Sequence, residues 1–417
     1  MTQAYYTGLS GLQTNSYGID IISDNLANVN TTGYRGDTYE FSSLFEDALS
    51  NTNYGVSNDS IGLGTTLQAT PMTQTSGSYI QSERSTDLSI MGEGWFGVQS
   101  NAEPVYTRDG AFTFDVNNDL VTTDGYHVLG TMGNNIDNEV LTQTLETVPL
   151  NDVGAQEKLQ FPKTLTYPAE PTTTAQFSGN IGTEAELRTM SARVVDPNGV
   201  NNELKLEFSL IDPQNPPGTQ WNVTATTASI DGETIYDTQN GVVSFDERGA
   251  LVTNSLTTID NNGAPVTIDL GNEFSGVVAL ANTDITASSV SDGTIGGDLV
   301  GYDINKNGEV VATFTNGMQS SVGKVAVYHF QNDQGLSRIS GTRFAQSSNS
   351  GEPIFYKDAQ GQNIIGTDIA NFQLEGSNVD MTYGLTELII LQRSYDANSK
   401  SITTADEMIQ KALNMDG

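Results

Sequence analysis

Residues 377–417 read SNVDMTYGLTELIILQRSYDANSKSITTADEMIQKALNMDG and carry a heptad pattern over more than four repeats. Ser377 and Asp380 fit a capping box at its start, and a helix of about 35 residues would be roughly 50 Å long. So long a helix with one seam needs a partner, because propensity alone stabilises an isolated helix little. The first row of the heptad is Met381, Leu388, Tyr395, Ile402 and Ile409, and the second row, small or polar in places, is Gly384, Leu391, Asn398, Ala405 and Ala412.

The other end of the chain offers that partner. Residues 3–29 predict a helix with one apolar stripe, ending at residues 30–33, where β-branched residues and a glycine disfavour continuation. If the two terminal helices pair, every domain between them is an insertion, and the domains are nested and discontinuous. The stripe consists of Leu9, Leu12, Ile19, Ile22, Leu26 and Val29.

Between residues 88 and 130 the apolar period changes to two, which is typical of strands. Asn117 to Asp119 mark a hairpin in what we expect to be an antiparallel sheet, and the patterns at 308–315 and 324–330 complete it. Residues 41–49 suggest a short helix within an otherwise extended polar segment. The strand candidates of the first sheet are 95–98, 104–106, 111–116, 120–123 and 126–129.

Residues 146–285 contain most of the prolines and many short strands separated by turns. Such spacing suggests a β-sandwich or barrel. The predicted fold class is α+β, mainly β, with paired coiled-coil helices at the termini. The expected domains are a terminal helical domain (1–33 and 377–417), an extended connecting segment (34–80 and 346–376), an inner β domain (81–145 and 286–345) and an outer β insert (146–285).

The chain of 417 residues carries 51 acidic and 17 basic side chains, a net charge of -34. Nucleic acid is therefore an improbable partner, since phosphate binding needs clustered Lys and Arg. The acidity fits solubility, with repulsion between crowded copies or a saline setting as alternatives. Cysteine is absent, which excludes disulfides and thiolate chemistry. We expect neither a cleaved leader nor membrane insertion, because the sequence contains no basic segment followed by an apolar run and no long apolar stretch.

Motifs of catalysis and metal binding are weak. Residues 303–308 match the first half of a calcium loop, but Phe314 stands where the bidentate Glu belongs, which favours a β-turn. His127 and His329 lie in strand patterns, where packing is the ordinary role of histidine. We interpret the chain as non-enzymatic, with no cofactor and no metal site. A carboxylate pair of the glycosidase kind stays open in so acidic a chain.

Each end of the chain carries a distinctive motif. These motifs are residues 10–12 and DNLANVNTTGYR at 24–35 near the N-terminus, and SNVD at 377–380 and residues 392–408 near the C-terminus. They resemble the signatures of the bacterial flagellar rod and hook proteins. Residues 92–96, 106–110, 124–126, 335–336 and 350–353 resemble the inner β domain of that family. The signature positions are Asn25, Ala27, Asn28, Thr31, Gly33, Tyr34, Ser377, Asn378, Val379, Asp380, Gln392, Arg393, Asn398, Asp406, Glu407 and Met408.

The resemblance covers roughly residues 1–145 and 286–417 and implies a tubular helical homopolymer outside the cell, acting as a universal joint between rod and filament. The large insert favours a hook-type subunit over a distal rod protein. Implied partners are the flagellar rod, hook cap, hook-length control protein, hook–filament junction proteins and type III export apparatus. Export would then need no cleaved signal peptide.

The apolar heptad residues would line the inner tube, either between subunits or as coiled-coil core within one subunit. We further expect deletion of 146–285 to leave a tube that assembles but bends less. A β-rich surface adhesin is the main rival from another class, although it would not explain two matched terminal heptads.

Overall fold

The computed structural model describes residues 2–47, 60–100, 103–214 and 217–415. These form a mainly β protein with one long helix at each end, which confirms the coarse fold class. Helix α1 spans Thr2–Ala27 and helix α2 spans Met381–Met415, a length of 35 residues. Three short 3-10 turns add to them, at Val153–Ala155, Lys306–Gly308 and Asp333–Gly335.

The start of α2 differs in detail from the predicted capping box. Asp380 is the N-cap residue, because its Oδ1 accepts hydrogen bonds from the N–H groups of Thr382 (2.8 Å) and Tyr383 (3.0 Å). The Ser377 hydroxyl instead accepts from the Val379 N–H at 3.3 Å, within the segment that leads into the helix. The helix therefore begins at Met381, one residue after its cap.

The predicted helix at residues 41–49 is wrong. Glu40–Asp47 is a strand that pairs antiparallel with Ser60–Ala69, and Leu49 lies outside the described residues. So short a helix would gain little on its own, whereas the hairpin docks on α1. The Thr65 hydroxyl donates to the Thr14 hydroxyl at 2.8 Å, and the Thr65 N–H donates to the Ser10 hydroxyl at 3.3 Å.

A 15-stranded sheet makes the first β unit, and all but one of its pairings are antiparallel, as the alternating pattern predicts. Its strands are Trp95–Gln99, Val105–Thr107, Phe112–Phe114, Leu120–Thr122, His127–Met132, Ile136–Asp137, Val140–Leu141, Glu157–Lys158, Thr166–Tyr167, Gly297–Ile304, Glu309–Phe314, Gln319–Val325, Val327–Tyr328, Ser337–Ser340 and Arg343–Ala345. Three short ladders accompany it: Tyr79–Gln81 with Gln373–Glu375, Leu88–Met91 with Asp368–Asn371, and Tyr356–Lys357 with Asn363–Ile364.

The second β unit has two five-stranded sheets, whose apolar faces share one core around Trp221, Phe177 and Phe208. One sheet is antiparallel and contains Arg188–Val195, Asn201–Leu210, Thr219–Ser229, Ile235–Phe245 and Leu251–Asn254. The other is mixed and contains Thr174–Asn180, Thr258–Asn261, Ala264–Asp269, Val277–Val278 and Ser288–Ser291.

The packing moves the expected domain boundaries. Five residues assigned to the outer insert pack in the core of the first unit, because Thr166–Tyr167 pairs with the strand Gly297–Ile304. Ser288–Ser291, assigned to the inner domain, pairs with Thr174–Asn180 of the second unit. The chain passes between units where Glu170 and Thr294 exchange backbone hydrogen bonds of 2.8 and 2.9 Å. The five displaced residues are Leu150, Leu159, Phe161, Leu165 and Tyr167.

The expected connecting segment 346–376 also belongs largely to the first unit. Phe355, Ile365 and Ile369 are buried in that core, and Asp368–Asn371 forms a ladder with Leu88–Met91. Alternation of apolar residues is interrupted in this segment by glycine and polar turns, so its sequence looks like loop although its apolar side chains fill the core.

Candidate functional site at the terminal helices

Helices α1 and α2 pack antiparallel through a seam of small and polar residues. A methyl group on Gly8 would lie 2.9 Å from Ile402 Cγ1, and one on Gly11 would lie 2.7 Å from Asn398 Nδ2. Glycines at these positions therefore let the helix backbones approach closely. The α1 side of the seam is Gly8, Gly11, Asn15, Gly18, Ile22 and Asn25, at alternating spacings of three and four.

On α2, three residues of the second heptad row and Ile402 of the first row face α1. Leu391 and Ala405 are buried, and Asn398 contacts Gly11. The small members of that row fit a close helix contact, since the glycines of α1 leave room only for short or well-placed side chains opposite them. The heptad period therefore indicated the seam only in part, because Met381 and Tyr395 of the first row are exposed while Ile402 of that row contacts α1.

The apolar residues expected to pack the tube divide into three groups by exposure. Ile22 and Leu391 are buried in the seam. Leu12, Ile19, Leu26, Val29, Leu388, Ile402 and Ile409 are half-buried. Leu9, Met381 and Tyr395 are exposed. The helix pair within one chain therefore covers only part of the apolar surface of its own helices.

Many large apolar side chains of the helix pair remain exposed, and we call this set of residues the outer helix face. Large exposed apolar surface marks a candidate interaction site. The outer helix face comprises Tyr5, Tyr6, Leu9 and Tyr17 of α1 and Met381, Tyr383, Leu385, Ile389, Ile390, Tyr395, Met408 and Leu413 of α2.

We expect Gly11→Leu to separate the two helices. The added side chain would occupy the space of Asn398, and overpacking of this kind costs typically about 1–3 kcal/mol. Far-UV circular dichroism should show loss of helix at a lower temperature than in the unchanged chain. Gly384→Ala is the matched control, because its methyl group meets no atom within 4 Å, and it should raise helix stability by up to about 1 kcal/mol. Equal effects of both changes would contradict the close seam.

Where α1 ends, signature residues join it to the segment that follows. The side chain of Asn25 donates to the Asp37 carbonyl at 2.6 Å and accepts from the Asp37 N–H at 2.9 Å. The buried Tyr34 hydroxyl donates to the Asp24 carboxylate at 3.0 Å, and burial together with that carboxylate raises the pKa of Tyr34. These bonds fold the chain back along the last turns of α1.

Asn378 ties the start of α2 to the same place. Its Oδ1 accepts from the Gly36 N–H at 2.8 Å, and its Nδ2 donates to the carbonyls of Thr73 and Thr75 at 2.9 Å each. Val379 lies against Gly36, where a methyl group would come within 3.0 Å of it. One amide side chain therefore holds three chain segments together.

The buried centre of this junction is Glu375, which bridges two arginines from different parts of the chain. Its Oε1 lies 2.8 Å from Arg35 Nη2, and its Oε2 lies 3.1 Å from Arg108 Nη1. All three side chains are at most 4% exposed. The Gly33 N–H donates to the Glu375 carbonyl at 2.7 Å. Gly33 has a φ of +67°, and a Cβ there would strike the backbone of Asp109.

Burial changes the pKa of both arginines at the junction. Burial lowers the pKa of Arg35 to about 10, with a further lowering by the neighbouring Arg108 and an opposing effect of Glu375. Burial also lowers the pKa of Arg108, against the stabilising ion pair with Glu375. Glu375 is the carboxylate that pairs directly with both guanidinium groups, and Asp333 adds a weaker attraction to each.

The signature positions therefore separate into those near the junction, Asn398 in the seam between the helices, and those exposed along α2. Residues near the junction make structural bonds; Asn28, for example, accepts from the Thr31 hydroxyl at 3.2 Å, and Ala27 ends α1. Gln392, Arg393, Asp406, Glu407 and Met408 are instead exposed along α2 and are not brought to the junction.

Three features of the site were missed in the sequence. Arg108 and Glu375 lie far from Arg35 along the chain, and no local pattern connects them. The glycine repeat of α1 at residues 8, 11 and 18 was visible, and its spacing of three and seven could have indicated a close helix contact. The prediction was based on the apolar stripe of α1 instead.

The other candidate sites considered in the sequence are not formed by the described residues. Among the described residues, no group of three or more His, Cys, Asp or Glu side chains could hold a metal ion. Residues 303–308 form a tight turn with Asn307 at a φ of +70°. His329 is buried with Nε2 at 2.6 Å from the Ile365 carbonyl, and burial lowers its pKa. In the part of the chain that is described, no helix is long and apolar enough to cross a membrane.

Comparison with known proteins matches both ends and the first β unit. The model "Flagella basal body rod protein" matches residues 6–35, "Flagellar hook protein FlgE/F/G D1 domain" matches 89–165, and "Flagellar basal body rod FlgEFG protein C-terminal" matches 372–415. The matched segments contain most of α1, the three charged residues Arg35, Arg108 and Glu375 of the junction, and α2. Together they define an axial protein of the bacterial flagellum.

Similar proteins extend over the whole chain. The flagellar hook protein FlgE of Borreliella burgdorferi is 26% identical over 452 residues, covering 100% of both chains. The FlgE protein of Escherichia coli is 27% identical over 434 residues, covering 99% of this chain and 100% of the relative. The crystal structure of Helicobacter pylori FlgE2 shares the fold, with a TM-score of 0.51 at 17% identity over 71% of this chain and 100% of that one. The chain belongs to the flagellar hook protein FlgE/F/G family.

Proposed function

We propose that the chain is the structural subunit of a flagellar hook, which self-assembles into a curved helical tube and transmits motor torque from rod to filament as a universal joint. The observation that carries the proposal is the outer helix face, an apolar surface that the helix pair leaves exposed. Covering it with further copies would bury it. Contacts of this kind are heterologous, and they give an open helical assembly when their rotation does not close.

The exposure of each side chain indicates whether it would contact another copy or pack within the subunit. Leu9, Met381 and Tyr395 would contact neighbouring copies, whereas Ile22 and Leu391 pack within the subunit. The exposed signature residues of α2, such as Gln392 and Arg393, would face other copies or the interior of the tube. In this arrangement the helices form the inner wall.

The β units would lie at larger radius, as nested domains inserted between the paired helices. Two five-stranded sheets around one core support a β-sandwich for the outer unit. Sliding between outer units would let the tube bend while the helices carry the load. As a member of a family of structural proteins, the chain would perform no catalysis.

We also propose where the chain functions and which proteins it contacts. The chain would function outside the cell, exported through the flagellar type III apparatus without a cleaved signal peptide. It would contact the rod, the hook cap, the hook-length control protein and the hook–filament junction proteins. The names of the full-length relatives support the hook rather than the distal rod as its location.

Electron microscopy of the purified chain tests assembly. We expect tubes at high ionic strength and few at low ionic strength, because a net charge of -34 makes copies repel one another until salt screens the charges. The double change Ile389→Asp and Ile390→Asp should abolish tubes by placing charges on the outer helix face. Absence of tubes from the unchanged chain at every ionic strength would overturn the proposal.

Val116→Asp is the control for added charge. Val116 is 89% exposed at a hairpin tip of the first β unit, away from the helix pair. This change adds a carboxylate at an exposed apolar residue and should leave tube formation intact. Circular dichroism of each monomer would check that neither variant unfolds the helices.

A further inference from the structure

The helix pair has two unlike ends, because α1 and α2 run antiparallel. At the first end, which we call the tip, α1 begins with Tyr5 and Tyr6, and the last turns of α2 extend beyond it. At the opposite end, α1 finishes and α2 begins. The 26 residues of α1 separate the two ends by about 39 Å.

The end opposite the tip contains an apolar groove of about 220 Å³, which we call the base groove. Its walls include Ile22 of α1 and Val379, Tyr383 and Gly384 of the α2 start. A side chain on Gly384 would meet no atom within 4 Å, so this wall opens into free space. The groove is therefore wide enough to receive side chains from outside.

Acceptors stand at the rim of the base groove. Asp380 caps α2, and the Asp37 carboxylate lies 3.1 Å from Arg338 Nη2. An occupant suited to this site would bring a ring or aliphatic body for the walls and a hydrogen-bond donor for a carboxylate. A tyrosine has both, since its ring is apolar and its hydroxyl donates.

The tip presents such side chains. Tyr5 and Tyr6 form an edge-to-face pair with centroids 5.9 Å apart, and Tyr6 is 65% exposed. The first 19 residues of the chain carry no charged side chain. In a chain of net charge -34, the α1 part of the tip therefore brings no like charge toward the carboxylates of another copy, although Asp406 and Glu407 of α2 lie at the same end.

Resting on the proposed hook function, we propose that the tip of one copy docks in the base groove of the next copy along the tube. The contact joins unlike surfaces at opposite ends of one rigid pair, so it repeats from copy to copy without closing. Tyr6 fills the groove between Ile22 and Tyr383, and a tyrosine hydroxyl of the tip donates to a rim carboxylate. The base groove thereby fixes the axial register between neighbouring subunits.

Cysteine cross-linking tests this register directly, because the chain has no native cysteine. Ala4→Cys places a thiol on the tip without removing either tyrosine, and Thr38→Cys places one on the groove. Oxidation of assembled tubes of the double variant should give a ladder of covalent multimers. A disulfide within one chain cannot form, since the two positions lie at opposite ends of α1.

The matched control pairs Ala4→Cys with Val116→Cys, since Val116 is also exposed but does not line the groove. The docking proposal is overturned if tubes of the Ala4→Cys and Thr38→Cys variant give no ladder of covalent multimers. It is also overturned if the control variant gives an equal ladder. Neither result contradicts the hook proposal, because tubes have formed in both. Failure of the unchanged chain to form tubes overturns both.

A second measurement uses the critical concentration for assembly. Tyr6→Ala should raise it by about tenfold or more, since a buried aromatic contact would be lost. Tyr6→Phe should recover most of that loss, because the ring remains. Unchanged assembly of Tyr6→Ala tubes would contradict the groove as the site of the tip.

Discussion

Deleting residues 146–285 is expected to unfold the first β unit, whereas deleting 172–292 and joining the ends through a Gly-Gly turn should leave it folded. The first deletion follows the composition of the sequence, and the second follows the two cores. They differ because residues 146–167 belong to the first core although they lie in the proline-rich region of the sequence.

The first deletion removes five large apolar side chains from that core, among them Leu159 and Phe161. Each contributes roughly 1.5–3 kcal/mol by burial. The sum, about 10 kcal/mol, is comparable with the whole stability of an ordinary domain. It also removes the strand Thr166–Tyr167, which would leave the edge of Gly297–Ile304 unpaired.

The second deletion joins two chain segments that are already next to each other. Glu170 and Thr294 are hydrogen-bonded to each other through their backbones, so a short turn can connect the strands on either side. Tryptophan fluorescence checks the result, since Trp221 is removed with the insert and Trp95 alone reports on the first unit.

Cooperative unfolding by urea is expected for the 172–292 deletion and not for the 146–285 deletion. Tubes of the shorter chain should bend less in electron micrographs than those of the full chain, as expected if the outer unit sets curvature. A folded product from the 146–285 deletion would show that the first core does not need residues 146–167.

Glu375→Ala is expected to cost about 3–5 kcal/mol, because it leaves two buried guanidinium groups without the carboxylate that pairs with them. Glu375→Gln keeps an acceptor and loses the charge, and should fall between Glu375→Ala and the unchanged chain. The Glu375 side chain also accepts from the Gly77 N–H at 3.1 Å, so truncation opens the segment before the first sheet as well.

Urea unfolding followed by Trp95 fluorescence in a Trp221→Phe background would measure this effect, since Arg108 lies 5.6 Å from the Trp95 ring. Glu207→Ala is the matched control. Its ion pair with Lys205 has a similar length, 2.7 Å, but both side chains are exposed, and such pairs contribute at most about 1 kcal/mol. Equal losses from Glu375→Ala and Glu207→Ala would show that the buried triad does not stabilise the junction.

The sequence by itself predicted the two terminal helices, their heptad period and many of the strands. These are local properties, since repeats of three, four or two residues report on backbone periodicity and on turns. The signature residues at both ends likewise identified the family.

Tertiary structure alone decided which side of each helix meets the other. A heptad marks a face, but the glycines at 8, 11 and 18 decide the contact, because they leave space for Ile402, Asn398 and Leu391 of α2. Likewise, Arg35 and Glu375 are 340 residues apart, and only the folded chain joins them. Pairing over such distances depends on which surfaces fit, and no local period in a sequence records that fit.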